Sequence, residues 1–208
     1  MINSRYVFSL AACACIGFGG IAHAADVASS ANKAEFKSTV ENCATCHGLN
    51  GHSVSPTFPN LAAQQATYIE NQLKAFKSET RADPDAQAYM WGMAAELNDE
   101  MITQLADYFS KQPPPPAEAG DPKLIAQGRK IFTQGLPSQG VPPCASCHGA
   151  NAAGRDMFPR LAGQHAPYLL KQLLVIQNVL RTAPVMHGVI KDLTRDQMQA
   201  VVTYLASL

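Results

Sequence analysis

Cys43-Ala44-Thr45-Cys46-His47 recurs in the second half of the chain as Cys144-Ala145-Ser146-Cys147-His148. Both stretches have the C-x-x-C-H spacing that is typical of covalent c-type haem attachment. Two thiols at this spacing can form thioethers with the two vinyl groups of one porphyrin, and the next residue presents an imidazole to the iron. The sequence therefore predicts two haem c groups. They are attached through Cys43 and Cys46 and through Cys144 and Cys147, with His47 and His148 as the proximal iron ligands.

A C-x-x-C pair can also be half of a zinc site or a thioredoxin-like redox pair. A zinc site would require a second close pair of ligands near each motif, and the sequence has none there. A redox pair does not need the following histidine, and it usually lies between a strand and a helix. The recurrence of the whole motif, each time followed by glycine, favours haem attachment at both places.

The N-terminus has the features of an export signal. Arg5 precedes an apolar run that ends near Ala22-His23-Ala24, which has the form of a signal-peptidase site. We predict a signal peptide over residues 1–24 and a periplasmic mature chain. Leu10-Ala11-Ala12-Cys13 also resembles a lipoprotein cleavage box, which would place a lipid anchor on Cys13. The apolar run continues past that box, and this favours soluble export.

The charges of the chain balance overall but not by half. The sequence has 16 basic and 16 acidic side chains in total. Residues 26–112 carry 6 basic and 11 acidic side chains, whereas residues 113–208 carry 9 and 5. This asymmetry either orients the molecule toward charged partners or reflects an accidental imbalance between solvated faces. Nothing in it resembles a nucleic-acid-binding surface.

The second half of the chain repeats the first. The stretch Phe58-Pro59-Asn60-Leu61-Ala62-Ala63-Gln64 matches Phe158-Pro159-Arg160-Leu161-Ala162-Gly163-Gln164, and Met90-Trp91-Gly92-Met93 matches Met186-His187-Gly188-Val189. Four prolines at 113–116 separate the copies and predict an extended, semi-rigid linker over residues 113–121. We therefore predict two domains, residues 25–112 and 122–208.

The pattern within each copy is helical, and alternating strand patterns are absent. We predict helices at about 32–42 and 122–134 before the haem motifs, and at about 66–78 and 167–180 after them. A last helix closes each copy. Asn98 is expected to cap the first of these, and Thr194 with Gln197 the second. The fold class is thus all-α, with two small domains whose apolar cores are completed by haem.

The sixth iron ligand must come from further along each copy. The candidates are Met90, Met93, Met101 and His52 in the first copy, and Met157, His165, Met186, His187 and Met198 in the second. The sixth ligand should be the same residue in both copies. This favours Met90 and Met186, because these two methionines align with each other. Met93 instead aligns with Val189, which cannot bind iron. Met101 and Met198 fall on or near apolar helix faces, where methionine usually fills the core. The three histidines lack histidine counterparts, and we interpret them as surface or pocket polar residues.

Other shared residues have more general roles. Phe58-Pro59 and Phe158-Pro159 are expected to form pocket walls. Two tyrosines and two arginines could bind haem propionates or cross the domain interface, or they could serve only as ordinary packing residues and solvated charges. They are Tyr68, Tyr168, Arg81 and Arg181. Trp91 is either a lid over the haem edge or a packing residue.

Together, the paired units, the C-x-x-C-H-G runs, the F-P-x-L-A-[AG]-Q segments and the M-x-G motifs resemble the two-haem class I cytochromes c of the cytochrome c4 type. The resemblance covers nearly all of the chain after the signal. It implies two tandem class I cytochrome c domains, each wrapped around one haem, with Met90 and Met186 as axial ligands. It also implies an electron-transfer protein rather than an enzyme. The expected partners are a membrane quinol-oxidising complex and a terminal oxidase, which is compatible with peripheral membrane association.

Histidine–methionine coordination would raise the reduction potential of the haem relative to coordination by two histidines, and it would leave no open position on the iron. Two alternatives to a free carrier remain. A cytochrome subunit of a larger dehydrogenase or oxidase complex would share every site residue. A di-haem peroxidase or thiosulfate-oxidising cytochrome would instead require one iron with an open or unusual set of ligands.

Overall fold

The computed structural model describes Met1 and the backbone of residues 20–208, with side chains for Ser30 and residues 32–208. Cys13 and most of the predicted export signal lie outside the described residues. The chain divides into two compact units, Met1–Lys37 and Ser38–Leu208. The second unit contains both haem motifs. Within the described residues, no helix is both long enough and apolar enough to span a membrane.

The described residues are helical, and their only β-structure is two isolated bridges. This confirms the all-α prediction. The α-helices of the first half are α1 (Gly20–His47), α2 (Ala66–Lys77), α3 (Trp91–Ala95) and α4 (Asp99–Ser110). Those of the second half are α5 (Pro122–Gln134), α6 (Ala145–His148), α7 (Ala166–Gln177), α8 (Pro184–Ile190) and α9 (Arg195–Ala206). A π-helical turn, Ala86–Met90, precedes α3, and 3₁₀ turns lie at Leu49–Gly51 and Pro137–Gln139.

The capping predictions are confirmed. The Asn98 side chain accepts a hydrogen bond from the Met101 amide at 2.8 Å. Thr194 and Gln197 form a reciprocal capping box at the start of α9. The first helix is longer than predicted, because α1 continues through the haem motif and ends only at His47.

The second half has its main core between α5, α7 and α9. Phe132, Val202 and Leu205 are almost fully buried there. Gly128 allows α5 and α9 to come close together, because a Cβ atom at this position would lie 2.0 Å from the Ala200 carbonyl oxygen. In the first half, α2 packs against α3 and α4, and Ile102 and Phe109 are buried.

Residues 113–121 form no regular secondary structure, as the four prolines predict. The segment is held at several points. The Glu118 amide donates to the Ala206 carbonyl at 2.7 Å, and His52 Nε2 donates to the Pro113 carbonyl at 2.8 Å. The linker is therefore hydrogen-bonded to both halves. The division of the chain into two domains, residues 25–112 and 122–208, remains a prediction.

Candidate haem sites

The two predicted proximal histidines, His47 and His148, are held in the same way. A glycine with positive φ, Gly48 or Gly149, ends the helix directly after the histidine. His47 Nδ1 then donates to the Pro59 carbonyl at 2.9 Å, and His148 Nδ1 donates to the Pro159 carbonyl at 3.1 Å. A carbonyl can only accept, so the proton is on Nδ1 and the Nε2 lone pair of each ring is available to a metal.

The environment also favours a neutral imidazole. His47 and His148 are 7% and 6% exposed. Burial lowers the pKa of both, although the proline carbonyls oppose the shift. A neutral ring with a fixed tautomer is the form in which histidine binds a metal.

The four cysteines have different environments. Cys43, Cys144 and Cys147 line a cavity, whereas Cys46 is exposed and does not line it. Burial raises the pKa of Cys43, and it raises that of Cys144 to about 11. Both of these thiols are therefore protonated at neutral pH in the absence of a thioether bond.

The cavity measures about 740 Å³ and is lined by residues of both halves. Its walls include Phe58 and Phe158. The Phe58 ring meets the His47 ring edge-on with the ring centroids 6.0 Å apart, and the Phe158 ring meets the His148 ring edge-on with the centroids 6.3 Å apart. Imidazole nitrogen and thioether sulfur are both established axial ligands of haem iron. The cavity supplies both types of ligand together with attachment thiols, so the residues present fit haem c.

Met90 and Met186 both line the cavity and contact a hydrophobic cluster of their own half. Met90 is the last residue of the π-helical turn, a feature that often occurs at functional sites. Met186 lies in α8. Met157 is the other cavity-lining methionine in the described residues, and it is 61% exposed. Thr57 stands at its position in the first copy and offers no thioether.

The other candidate ligands lie outside the cavity lining, and they are His52, His165, His187, Met93, Met101 and Met198. Met101 and Met198 are buried in the core, and Met93 is 41% exposed. His187 Nδ1 donates to the Ile176 carbonyl at 3.1 Å. Across the described part of the chain, no three His, Cys, Asp or Glu side chains group as a metal site.

Trp91 lies beside Met90 in sequence but does not line the cavity. Its indole donates to the Arg81 carbonyl at 2.9 Å. This contact corresponds to the packing interpretation of Trp91 and gives no support to a lid.

Arg81 and Arg181 cross between the two halves. Arg81 donates to Gln72 at 2.8 Å and to Gln172 at 3.0 Å. Arg181 donates to Gln172 at 2.6 Å and to Gln72 at 3.0 Å. Arg181 also donates to the Tyr68 hydroxyl at 2.8 Å. The prediction left open whether these arginines connect the two copies, and the hydrogen bonds show that both bind residues of the opposite half.

The charges in this group perturb one another. Burial by itself would raise the pKa of Tyr68, but the Arg181 and Arg81 guanidiniums outweigh it and the pKa is lowered. Burial by itself would lower the pKa of Arg81. Tyr168, Tyr68 and Asp83 outweigh this effect, and the pKa is raised. The cluster therefore keeps Arg81 charged at the wall of the cavity.

Sequence reasoning missed the role of Gln64 and Gln164, although both close the repeated F-P-x-L-A-[AG]-Q segment. Gln64 Oε1 accepts from the Arg160 amide at 2.7 Å, and Gln164 Oε1 accepts from the Asn60 amide at 2.9 Å. Each glutamine thus binds the loop of the opposite copy. The repeat marked these residues, but nothing in a linear sequence indicates that their partners lie in the other copy.

Comparisons with known proteins agree with this site. The family profile described as Cytochrome c matches residues 33–112 and 125–208. Cytochrome c-552 of Acidithiobacillus ferridurans is 41% identical over 169 residues, covering 80% of this chain and 74% of that protein. The thiosulfate dehydrogenase electron acceptor of Thiomonas intermedia is 34% identical over 173 residues, covering 80% and 78%.

The fold agrees as well. The solved structure of Acidithiobacillus ferrooxidans cytochrome c4 superposes with a TM-score of 0.77 at 41% identity, covering 81% of this chain and 99% of that one. Two haem motifs, two family matches and this superposition point to the same assignment. The chain belongs to the cytochrome c family, as an electron-transfer protein of the cytochrome c4 type that carries two covalently bound haem c groups.

Proposed function

We propose that this protein is a periplasmic carrier that passes single electrons between a respiratory donor and a terminal oxidase or another periplasmic acceptor. Four residues carry the iron chemistry in this proposal. His47 and Met90 bind one iron, and His148 and Met186 bind the other. The observation that supports it best is that both histidines and both methionines line one cavity, with each histidine Nε2 left free.

The function follows from the ligand set. Haem c supplies one-electron chemistry when bound, and the residues around it determine its potential and access. Met90 and Met186 would fill the position at which a small substrate could otherwise bind. A thioether also favours ferrous iron, which raises the potential. Phe58 and Phe158 exclude water from the histidine side of each site. Such a site exchanges an electron with little rearrangement and has no place for peroxide.

Export is part of the same proposal. It rests on the apolar N-terminal stretch and the Ala22-His23-Ala24 site. The donor and the acceptor, proposed as a quinol-oxidising complex and a terminal oxidase, follow only from the resemblance to the cytochrome c4 type.

A second candidate function is an electron-accepting subunit that remains bound to a dehydrogenase. The relative from Thiomonas intermedia favours it, because that protein is named as the electron acceptor of a thiosulfate dehydrogenase. Both functions use the same site residues, so co-purification of the native protein distinguishes them. A free carrier elutes alone, whereas a subunit elutes with its enzyme.

The iron ligands are tested by absorption and electron paramagnetic resonance spectroscopy of the exported protein. We expect two haems per chain, both low-spin, and each with the charge-transfer band of methionine-bound ferric iron. A high-spin component in the untreated protein would favour an enzyme.

Met90→Ala tests the assignment directly. We expect it to lower the potential of one haem and to let carbon monoxide bind that iron, because it removes a cavity-lining thioether. Met93→Ala is the matched control. Met93 lies three residues away, is exposed and does not line the cavity, so its loss should change neither property. Identical behaviour of the two variants would contradict Met90 as a ligand.

A further inference from the structure

One peptide group connects each proximal histidine to the opposite half of the molecule. The Pro159 carbonyl accepts the Nδ1 proton of His148, and the N–H of the same peptide, on Arg160, donates to Gln64 Oε1. The first copy repeats the arrangement. There, the Pro59 carbonyl accepts from His47, and the Asn60 N–H donates to Gln164.

We infer that Gln64 and Gln164 are positioning residues that tune the haem of the opposite half, Gln64 acting on the iron bound by His148 and Gln164 on the iron bound by His47. This inference rests on the histidine ligation proposed above. Neither glutamine touches its target histidine, so each acts through the intervening peptide.

The physical basis is polarisation along a chain of hydrogen bonds. When the Arg160 N–H donates, electron density in its peptide shifts toward the Pro159 oxygen, and that oxygen becomes a better acceptor. A stronger bond from His148 Nδ1 makes the ring more basic toward the metal. A more basic ligand stabilises ferric iron, and hydrogen bonding behind the axial ligand is an established control on haem potential. Gln64 should therefore lower the potential of the second haem.

The glutamines are fixed well enough to act in this way. Gln64 is 8% exposed and Gln164 is 5% exposed. Gln64 Nε2 donates to the Arg160 carbonyl at 3.0 Å, and Gln164 Nε2 donates to the Asn60 carbonyl at 2.9 Å. Because the nitrogen of each amide already faces a carbonyl, its oxygen must face the N–H. Each side chain thus has one orientation.

A purely structural role would give a different result, and Gln65 provides the comparison. Its Nε2 donates across the same interface, to the Ala153 carbonyl at 2.9 Å. That bond does not involve the peptide behind either histidine. Gln65→Met is therefore a matched control for Gln64→Met, since both remove an amide contact with the second half.

The test is a redox titration of the holoprotein with each wave assigned by the single variants Met90→Ala and Met186→Ala. We expect Gln64→Met to raise the potential of the second haem and to leave the first unchanged, while Gln65→Met shifts neither. In the reduced protein labelled with ¹⁵N-histidine, the Nδ1 proton of His148 should move upfield in Gln64→Met, and that of His47 should not.

Gln164→Met is the mirror experiment and should raise the potential of the first haem alone. It tests the same inference if Gln64→Met does not assemble. A shift of the haem in the substituted half, an equal shift of both haems, or an equal effect of Gln65→Met would overturn the inference. Failure of the ligation itself is seen separately, because His148 in the unsubstituted reduced protein would then lack the large ring-current shifts of a haem ligand.

Discussion

At the scale of single residues, the positive charges that the two copies bring together act on Tyr68. Tyr68 accepts from Arg181, and its pKa is lowered by Arg181 and Arg81 despite burial. The cause is the proximity of positive charge, which stabilises the phenolate relative to the phenol.

This gives a prediction about pH. Replacing Arg181 with glutamine removes the nearest positive charge, so we expect the pKa of Tyr68 to rise. A ¹³C NMR titration of the ferrous protein with labelled tyrosine rings measures it. Arg155→Gln is the control, because Arg155 lies over Phe158 and is not among the groups that perturb Tyr68. A lower or unchanged pKa in Arg181→Gln would contradict the assigned cause.

At the scale of helices, the second half depends on how closely α5 crosses α9. Gly128 faces the Ala200 carbonyl and Tyr204, and a Cβ atom would lie 2.0 Å from that oxygen and 2.8 Å from the Tyr204 Cβ. Backbone atoms cannot rotate away, so the helices themselves would have to separate.

We therefore expect Gly128→Ala to destabilise the protein by about 1–3 kcal/mol, which is typical of overpacking. Alanine gains at most about 1 kcal/mol in helix propensity, too little to reverse the sign. Guanidinium chloride unfolding, followed by circular dichroism, measures the change. Gln127→Ala, at the neighbouring exposed position of α5, should leave the free energy of unfolding within about 0.5 kcal/mol of its original value.

At the scale of the whole molecule, the interface between the two copies is only partly symmetric. Asp83 is 1% exposed and forms an ion pair with Arg81 at 2.9 Å, whereas Ala183 occupies the matching position in the second copy. Asp85 pairs with Lys171 of the second half, and the matching positions, Val185 and Asn71, cannot form an ion pair. The first copy thus supplies the buried carboxylate at this interface.

We expect Asp83→Ala to cost about 3–5 kcal/mol, because it leaves the Arg81 guanidinium buried without its counter-charge. Asp107→Ala is the control. Its pair with Lys111 is largely exposed, and its loss should cost less than about 1 kcal/mol. Equal losses of unfolding free energy in the two variants would show that the Arg81 pair is solvated.

Much of this protein was predictable from local sequence. The thiol spacing in C-x-x-C-H, the glycine after each motif, the caps at Asn98 and Thr194 and the prolines at 113–116 all act over a few residues, so a linear reading identifies them. The alignment of Met90 with Met186 is likewise a property of the repeat. The assignment of all four iron ligands remains a prediction.

Other features were decided only by the tertiary structure. Sequence shows that Gln64, Gln72 and Arg81 recur in the second copy, but not that they meet residues of that copy. Their partners lie about a hundred positions away, and such distant pairs are brought together only when both copies fold and pack. The chain therefore encodes each haem motif locally, whereas the contacts that connect the two sites depend on burying these polar groups against one another.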